Sequence, residues 1–205
     1  MNKKKIAFGL HITIVVFEII STIISVMDKG IGFFKYYTNL SNLMALVVSA
    51  ICAFYLFLDI KYKTNNMPKP LKLFRFYNTI YLTITFIVVL FILAPARGIE
   101  GVVYYMTYGC YLFHHTLVPI ISFVLLWFED HEVKFIHTLY AMVLTVLYGI
   151  VTLILNYLGY IYGPYPFLMI TYNPPLLSVL YLTGVVAIAY LIGLGIYFIT
   201  KKLSK

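Results

Sequence analysis

The sequence predicts an all-α, polytopic membrane protein: a bundle of six transmembrane helices with its N- and C-termini cytoplasmic. Three observations predict it. Hydrophobic residues make up 62% of the 205-residue chain and charged residues 11%, against about 45–50% and about 25% in soluble domains. Six apolar stretches match the roughly 20 residues that a helix needs to span a bilayer. Basic residues are segregated between alternate loops. The apolar runs are continuous rather than alternating, which speaks against a transmembrane β-barrel.

The first stretch, 6–27, follows Lys3, Lys4 and Lys5. It is too long for a signal core, contains Glu18 and lacks a small-x-small cleavage site, so it reads as a retained helix. The second, 39–58, opens on the polar run Tyr36-Tyr37-Thr38-Asn39-Leu40-Ser41-Asn42. The third, 76–94, follows a basic segment whose Met67-Pro68-Lys69-Pro70 core breaks any helix. The fourth, 108–128, carries His114, His115 and Pro119. The fifth and sixth are 136–157 and 176–199. Between them lies Tyr162-Gly163-Pro164-Tyr165-Pro166-Phe167-Leu168, an aromatic, Pro-rich loop suited to the membrane interface. Residues 1–205 are read as a single membrane domain.

Six spans put the N-terminus, the second and fourth loops and the C-terminus on one side. That side holds twelve basic residues, and the other holds only Lys29, Lys35 and Arg97. All loops are short, so the positive-inside rule makes the richer side cytoplasmic. A net charge of +8 is thus explained by topology rather than by nucleic acid. The segment from Lys61 to Arg75 is expected to lie on anionic phospholipid headgroups. The expected location is the cell membrane, multi-pass. Cys52 falls in the inner half of the second helix and Cys110 near the outer end of the fourth, poorly placed to bridge, and both read as small buried residues.

Ionisable groups within the spans are costly and tend to be paired or functional. They are His11, Glu18, His114 and His115. His11 and Glu18 are seven residues apart, on one face but about 10 Å apart along the axis, so they cannot pair. Glu18 and the two histidines lie at similar depth in the outer half, where contact between the first and fourth helices is possible. Pro119 removes the backbone bond to the His115 carbonyl, and a kink there favours His115 as the functional histidine. Thr38 or Asn39 can cap the second helix, leaving Ser41 and Asn42 to point into the outer leaflet or the bundle. Asn156 and Tyr165 fall on the same outer side. His131 and His137, in a charged inner loop, read as solvated.

Three motifs carry a resemblance. Phe34-Lys35-Tyr36-Tyr37-Thr38, His115-Thr116-Leu117-Val118-Pro119 and Tyr165-Pro166-Phe167-Leu168 occur in that order. In this the chain resembles the androgen-induced and androgen-dependent TFPI-regulating membrane proteins and a related bacterial family of six-pass proteins. The resemblance implies a membrane-embedded hydrolase with a threonine nucleophile and a histidine base. In the animal members the substrates are fatty-acid esters of hydroxy fatty acids. The threonine falls on Thr38. The histidine falls on His115 by the His-Thr dipeptide, or on His114 when counted back from Pro119. The run after Thr38 is more polar than in the animal proteins, and Leu125 stands where the relatives place an acidic residue.

The expected function is hydrolysis of a lipid or fatty-acyl ester, without cofactor or metal. A histidine takes the threonine proton, Glu18 orients the imidazole, and Asn39 or Asn42 donates to the oxyanion. The alternatives are a small-molecule binding or transport subunit and a non-enzymatic membrane protein. The first helix lacks the small-xxx-small pattern by which energy-coupling-factor binding subunits dock. No phosphate loop, zinc-ligand pair or long soluble domain is present in the sequence.

Overall fold

The computed structural model describes residues 3–170 and 173–204. Every regular element among them is helical, and six helices are long and apolar enough to cross a membrane. These spans are Lys3–Lys35, Tyr37–Tyr62, Lys69–Thr107, Gly109–Trp127, Ile136–Tyr157 and Pro175–Leu203. The chain divides into two compact units, Met1–Val133 with Phe198–Lys205, and Lys134–Tyr197.

The first unit is built inside out. Helix α1 (Lys3–Lys29) buries Ala7, His11, Ile14, Glu18, Ser21 and Ser25. Their alternating spacing of four and three residues traces one stripe of a helix. The opposite face presents Ile12, Val16, Ile19 and Ile23 outward. Lipid is as apolar as these side chains, so polar groups gain by facing protein rather than hydrocarbon.

Helix α2 (Tyr37–Tyr62) repeats the design, burying Thr38, Ser41, Asn42, Ala45, Ser49 and Cys52. Its N-cap is Tyr36, with no side-chain cap bond. This corrects the expectation that Thr38 or Asn39 caps the helix. Both lie inside the first turn and turn inward. The helix ends at Lys63 in the left-handed region, φ 57°.

Helix α3 (Lys69–Val88) starts seven residues before the expected third span. Pro68 is its N-cap and Pro70 occupies its first turn, where a missing N–H costs nothing. The early start carries Arg75 into the helix, where it is only 4% exposed. Arg75 therefore does not lie on headgroups as expected. The span continues through a π turn (Val89–Leu93) and a 3-10 turn (Pro95–Arg97) into α4 (Gly98–Thr107).

The fourth span is irregular. It comprises α5 (Gly109–Tyr111), a π turn (Leu112–Leu117), α6 (Val118–Val124) and a 3-10 turn (Leu125–Trp127). Cys52 and Cys110 are both buried and free.

The second unit contains α7 (Ile136–Tyr157) and most of α8 (Pro175–Leu203). Helix α7 matches the expected span at both ends. Gly149 lets the helices approach closely, because a Cβ there would sit 2.4 Å from Leu182 Cδ1.

Candidate functional site

The π turn sets the geometry of the two histidines. Val118 N–H bonds to the Phe113 carbonyl, five residues back. In that register the next carbonyl, of His114, would pair with the N–H of residue 119, but Pro119 has none. Asn42 takes it instead, its Nδ2 donating to the His114 carbonyl at 3.2 Å and to the Thr38 carbonyl at 2.8 Å. One amide thus ties the start of α2 to the histidine turn.

The same irregularity aims the rings apart. His114 Nε2 lies 3.4 Å from Glu18 Oε2, with both side chains almost fully buried. His115 instead donates from Nδ1 to the Tyr105 carbonyl at 2.8 Å and stacks on Tyr111 at 5.2 Å. Thr116 donates to the Met106 carbonyl at 2.7 Å. These bonds clamp the turn onto α4. Ordinary helical phase with a kink at Pro119 favours His115, and the π turn alters that phase. In the folded chain His114 is the histidine that meets Glu18.

The surrounding polar groups are unevenly satisfied. Asn39 Nδ2 donates to the Phe33 carbonyl at 2.9 Å. Ser41 Oγ donates to the Thr38 carbonyl at 2.9 Å and contacts Thr85 Oγ1 at 3.2 Å. Asn78 donates to the Ser41 carbonyl at 2.9 Å. By contrast, both Glu18 oxygens, His114 Nε2 and Asn42 Oδ1 are buried with no hydrogen bond. Leaving such a group unsatisfied costs about 1–3 kcal/mol, more when it is charged. Asn42 has committed both amide hydrogens to carbonyls, so it cannot serve as the expected oxyanion donor in this arrangement. Asn39 retains one.

A second polar cluster lies toward the other end of the same unit. His11 Nε2 donates to Glu129 Oε1 at 2.7 Å, and Glu129 Oε2 lies 3.3 Å from Arg75 Nε. Arg75 also donates to Ser122 Oγ at 3.0 Å, to the Ser122 carbonyl and to Thr79 Oγ1. Burial pushes the Glu129 carboxyl up, but the Arg75 guanidinium and His11 together outweigh it, holding the group at about 2. His131 is half-buried and donates to the Leu126 carbonyl at 2.7 Å. Burial lowers its pKa, the carbonyl partly opposing. The expectation that His131 is simply solvated is corrected by this. A cleft beside the cluster is lined by Lys4, Asp59, Lys72, Arg75, Glu129 and His131.

Sequence reasoning missed Arg75 and Glu129. Pro70 was a usable signal for Arg75, since proline in a first turn fixes where a helix begins. Glu129, 54 residues from Arg75, had no periodic signal.

Asn156 and Tyr165 belong to the second unit. Asn156 Nδ2 donates to the Thr152 and Gly163 carbonyls at 2.9 and 2.6 Å, and its Oδ1 accepts the Gly163 N–H at 3.1 Å. Tyr165 is buried and stacks on Phe167 at 5.3 Å. Both residues shape their own loop.

No protein-family model, curated protein or solved structure matches the chain.

Proposed function

We propose that the protein is a membrane-embedded hydrolase of lipid esters, acting from the outer half of the cell membrane. Thr38 is the nucleophile, His114 the base and Glu18 the group that orients the base. The observation that carries this reading is the meeting of Glu18 with His114 in a buried setting where Asn42 joins the backbones of Thr38 and His114.

The chemistry follows from which nitrogen faces the acid. A proton on His114 Nε2 points at Glu18, which leaves the lone pair on Nδ1 to take the Thr38 proton. Threonine oxygen then adds to the ester carbonyl. The alcohol leaves with the proton from Nδ1, and water releases the acyl group by the reverse sequence. The 3.4 Å separation is long for a hydrogen bond, and catalytic pairs commonly tighten when substrate binds. The lipid-facing isoleucines of α1 suit lateral entry of an acyl chain. The resemblance of Phe34–Thr38 and His115–Pro119 to the hydrolase family supports the same assignment of Thr38.

The test is labelling of the purified protein with a fluorophosphonate probe, alongside turnover of a panel of acyl esters. Wild type is expected to label and turn over, while Thr38→Ala and His114→Ala lose both and His115→Ala retains labelling. Equal labelling and turnover in wild type, Thr38→Ala and His114→Ala overturn the reading.

A further inference from the structure

The four spans of the first unit share one pattern along their buried faces. On α1, Glu18 and His11 flank Ile14. On α2, Asn42 and Ser49 flank Ala45. On α3, Thr85 and Thr79 flank Leu82. On the fourth span, His114 and Ser122 flank Val118. All twelve residues are buried, none more than 5% exposed, except that the four apolar ones reach at most 1%. Ile14, Ala45, Leu82 and Val118 belong to one packed cluster. Each helix therefore places a buried apolar residue of that cluster between two buried polar ones at helical spacing. Four apolar residues of the cluster thus lie between two polar levels, and the cluster continues past the second level to Ala7, Leu56 and Leu125.

A purely structural core has no need of that order, and two buried carboxylate–imidazole pairs flank the layer. We propose that the first unit conducts protons along its interior, between the Glu18–His114 pair and the His11–Glu129 pair, with the layer of Ile14, Ala45, Leu82 and Val118 as its gate. Buried acid and histidine chains are the means by which membrane proteins relay protons, and apolar constrictions gate by excluding water.

The steps balance. A proton entering at His114 Nδ1 makes the ring imidazolium, and the Nε2 proton then passes to a Glu18 carboxylate oxygen, breaking N–H, forming O–H and leaving the ring neutral. Glu18 and His11 are seven residues apart, about 10 Å along the axis, so the next transfer needs water admitted through the open layer. The proton then binds His11 Nδ1, which is buried and without a hydrogen bond. His11 releases the proton on Nε2 to Glu129 Oε1, 2.7 Å away. His11 is left as the Nδ1–H tautomer, and exchange with the admitted water, which gives a proton to Nε2 and takes one from Nδ1, restores the first tautomer. Glu129 faces the cleft it shares with Asp59 and His131, an exit to the charged end. Beyond Glu18, the buried Ser21 and Ser25 continue the polar stripe toward Lys29, which donates to Ser25 Oγ at 3.0 Å. The titratable group facing Glu18 is His114, and the groups facing His11 are Glu129 and, through it, Arg75.

This inference does not depend on the hydrolase reading. Its test uses the full chain in liposomes that enclose a pH-sensitive dye, with a potassium gradient and valinomycin setting an inside-negative potential. Wild type is expected to admit protons faster than protein-free liposomes. Ile14→Ala opens the layer and is expected to raise the rate about tenfold, and Glu18→Gln to return it to the protein-free level. Leu82→Ala tests the gate independently if Ile14→Ala does not fold. Protein-free rates for wild type and for both gate variants overturn the proposal, as does an unchanged rate in folded Glu18→Gln.

Discussion

The two buried carboxylate–histidine pairs are built from the same chemistry and held in opposite ways. His11 and Glu129 meet at 2.7 Å, and Arg75 neutralises the carboxylate while Ser122 and Thr79 satisfy the guanidinium. Glu18 and His114 stand 3.4 Å apart, with both carboxylate oxygens lacking hydrogen bonds. The first pair fixes three spans and the loop beyond the fourth. The second keeps its polar atoms available. A pair neutralised by a third charge frames the unit although His11 Nδ1, Arg75 Nε and Glu129 Oε2 make no hydrogen bond, and reactivity is to be sought at the pair whose members make no hydrogen bond to each other.

Breaking the frame has the largest expected effect. Glu129→Ala leaves Arg75 buried without its counter-charge, which costs about 3–5 kcal/mol. Thermal unfolding in detergent is expected to show a steep fall in Tm. The double variant Arg75→Met with Glu129→Leu recovers much of the loss, and additive losses would contradict the pairing.

Acid sharpens the same comparison. Glu129 is held at about 2, below an ordinary carboxylate value of 4.5. A carboxylate lowered by folding contributes in full above its unfolded value, and the contribution disappears as pH falls through the folded one. The Tm of wild type is therefore expected to decline from pH 4.5 toward pH 2. Glu129→Gln, already destabilised, lacks that component of the decline. Parallel profiles for the two proteins would place the acid sensitivity elsewhere.

Asn156→Ala removes the two bonds that fasten Gly163 to α7, at about 1–3 kcal/mol. Limited proteolysis is expected to cut between residues 158 and 168 faster in this variant, with the first unit unaffected. Glu18→Gln is expected to change stability by less than about 1 kcal/mol, because the carboxyl it replaces has no hydrogen bond to lose. A loss as large as that of Glu129→Ala would make the second pair a frame as well. The smallest effect belongs to Lys69→Ala. It breaks an exposed pair with Glu132 at 3.1 Å, where solvent screens the attraction, and Lys72 still holds Glu132 at 3.0 Å, so no resolvable change in Tm is expected.

The spans were legible because hydrocarbon thickness imposes a length and a composition that few other structures satisfy. The fifth span, 136–157, needed nothing more. The third begins earlier than its hydropathy marks, because Arg75 reads as loop charge while its helix has already begun at Lys69. The depth match between Glu18 and the histidine pair was also legible, since it depends only on rise per residue. Which histidine turns toward Glu18 was not. A π turn inserts an extra residue and rotates everything beyond it by about 100°, and no local signal except Pro119 marked it. Glu129 escaped notice because its partners, His11 and Arg75, come from distant spans.

The most direct test of the central claim traps the acyl-enzyme. Wild-type protein is quenched during turnover of an activated acyl ester and analysed by intact-mass and peptide mass spectrometry. An acyl adduct mapped to Thr38, absent from Thr38→Ala and accumulating when Glu18→Gln slows its release, is the expected result. No adduct on Thr38, or the same adduct in Thr38→Ala, would contradict the account.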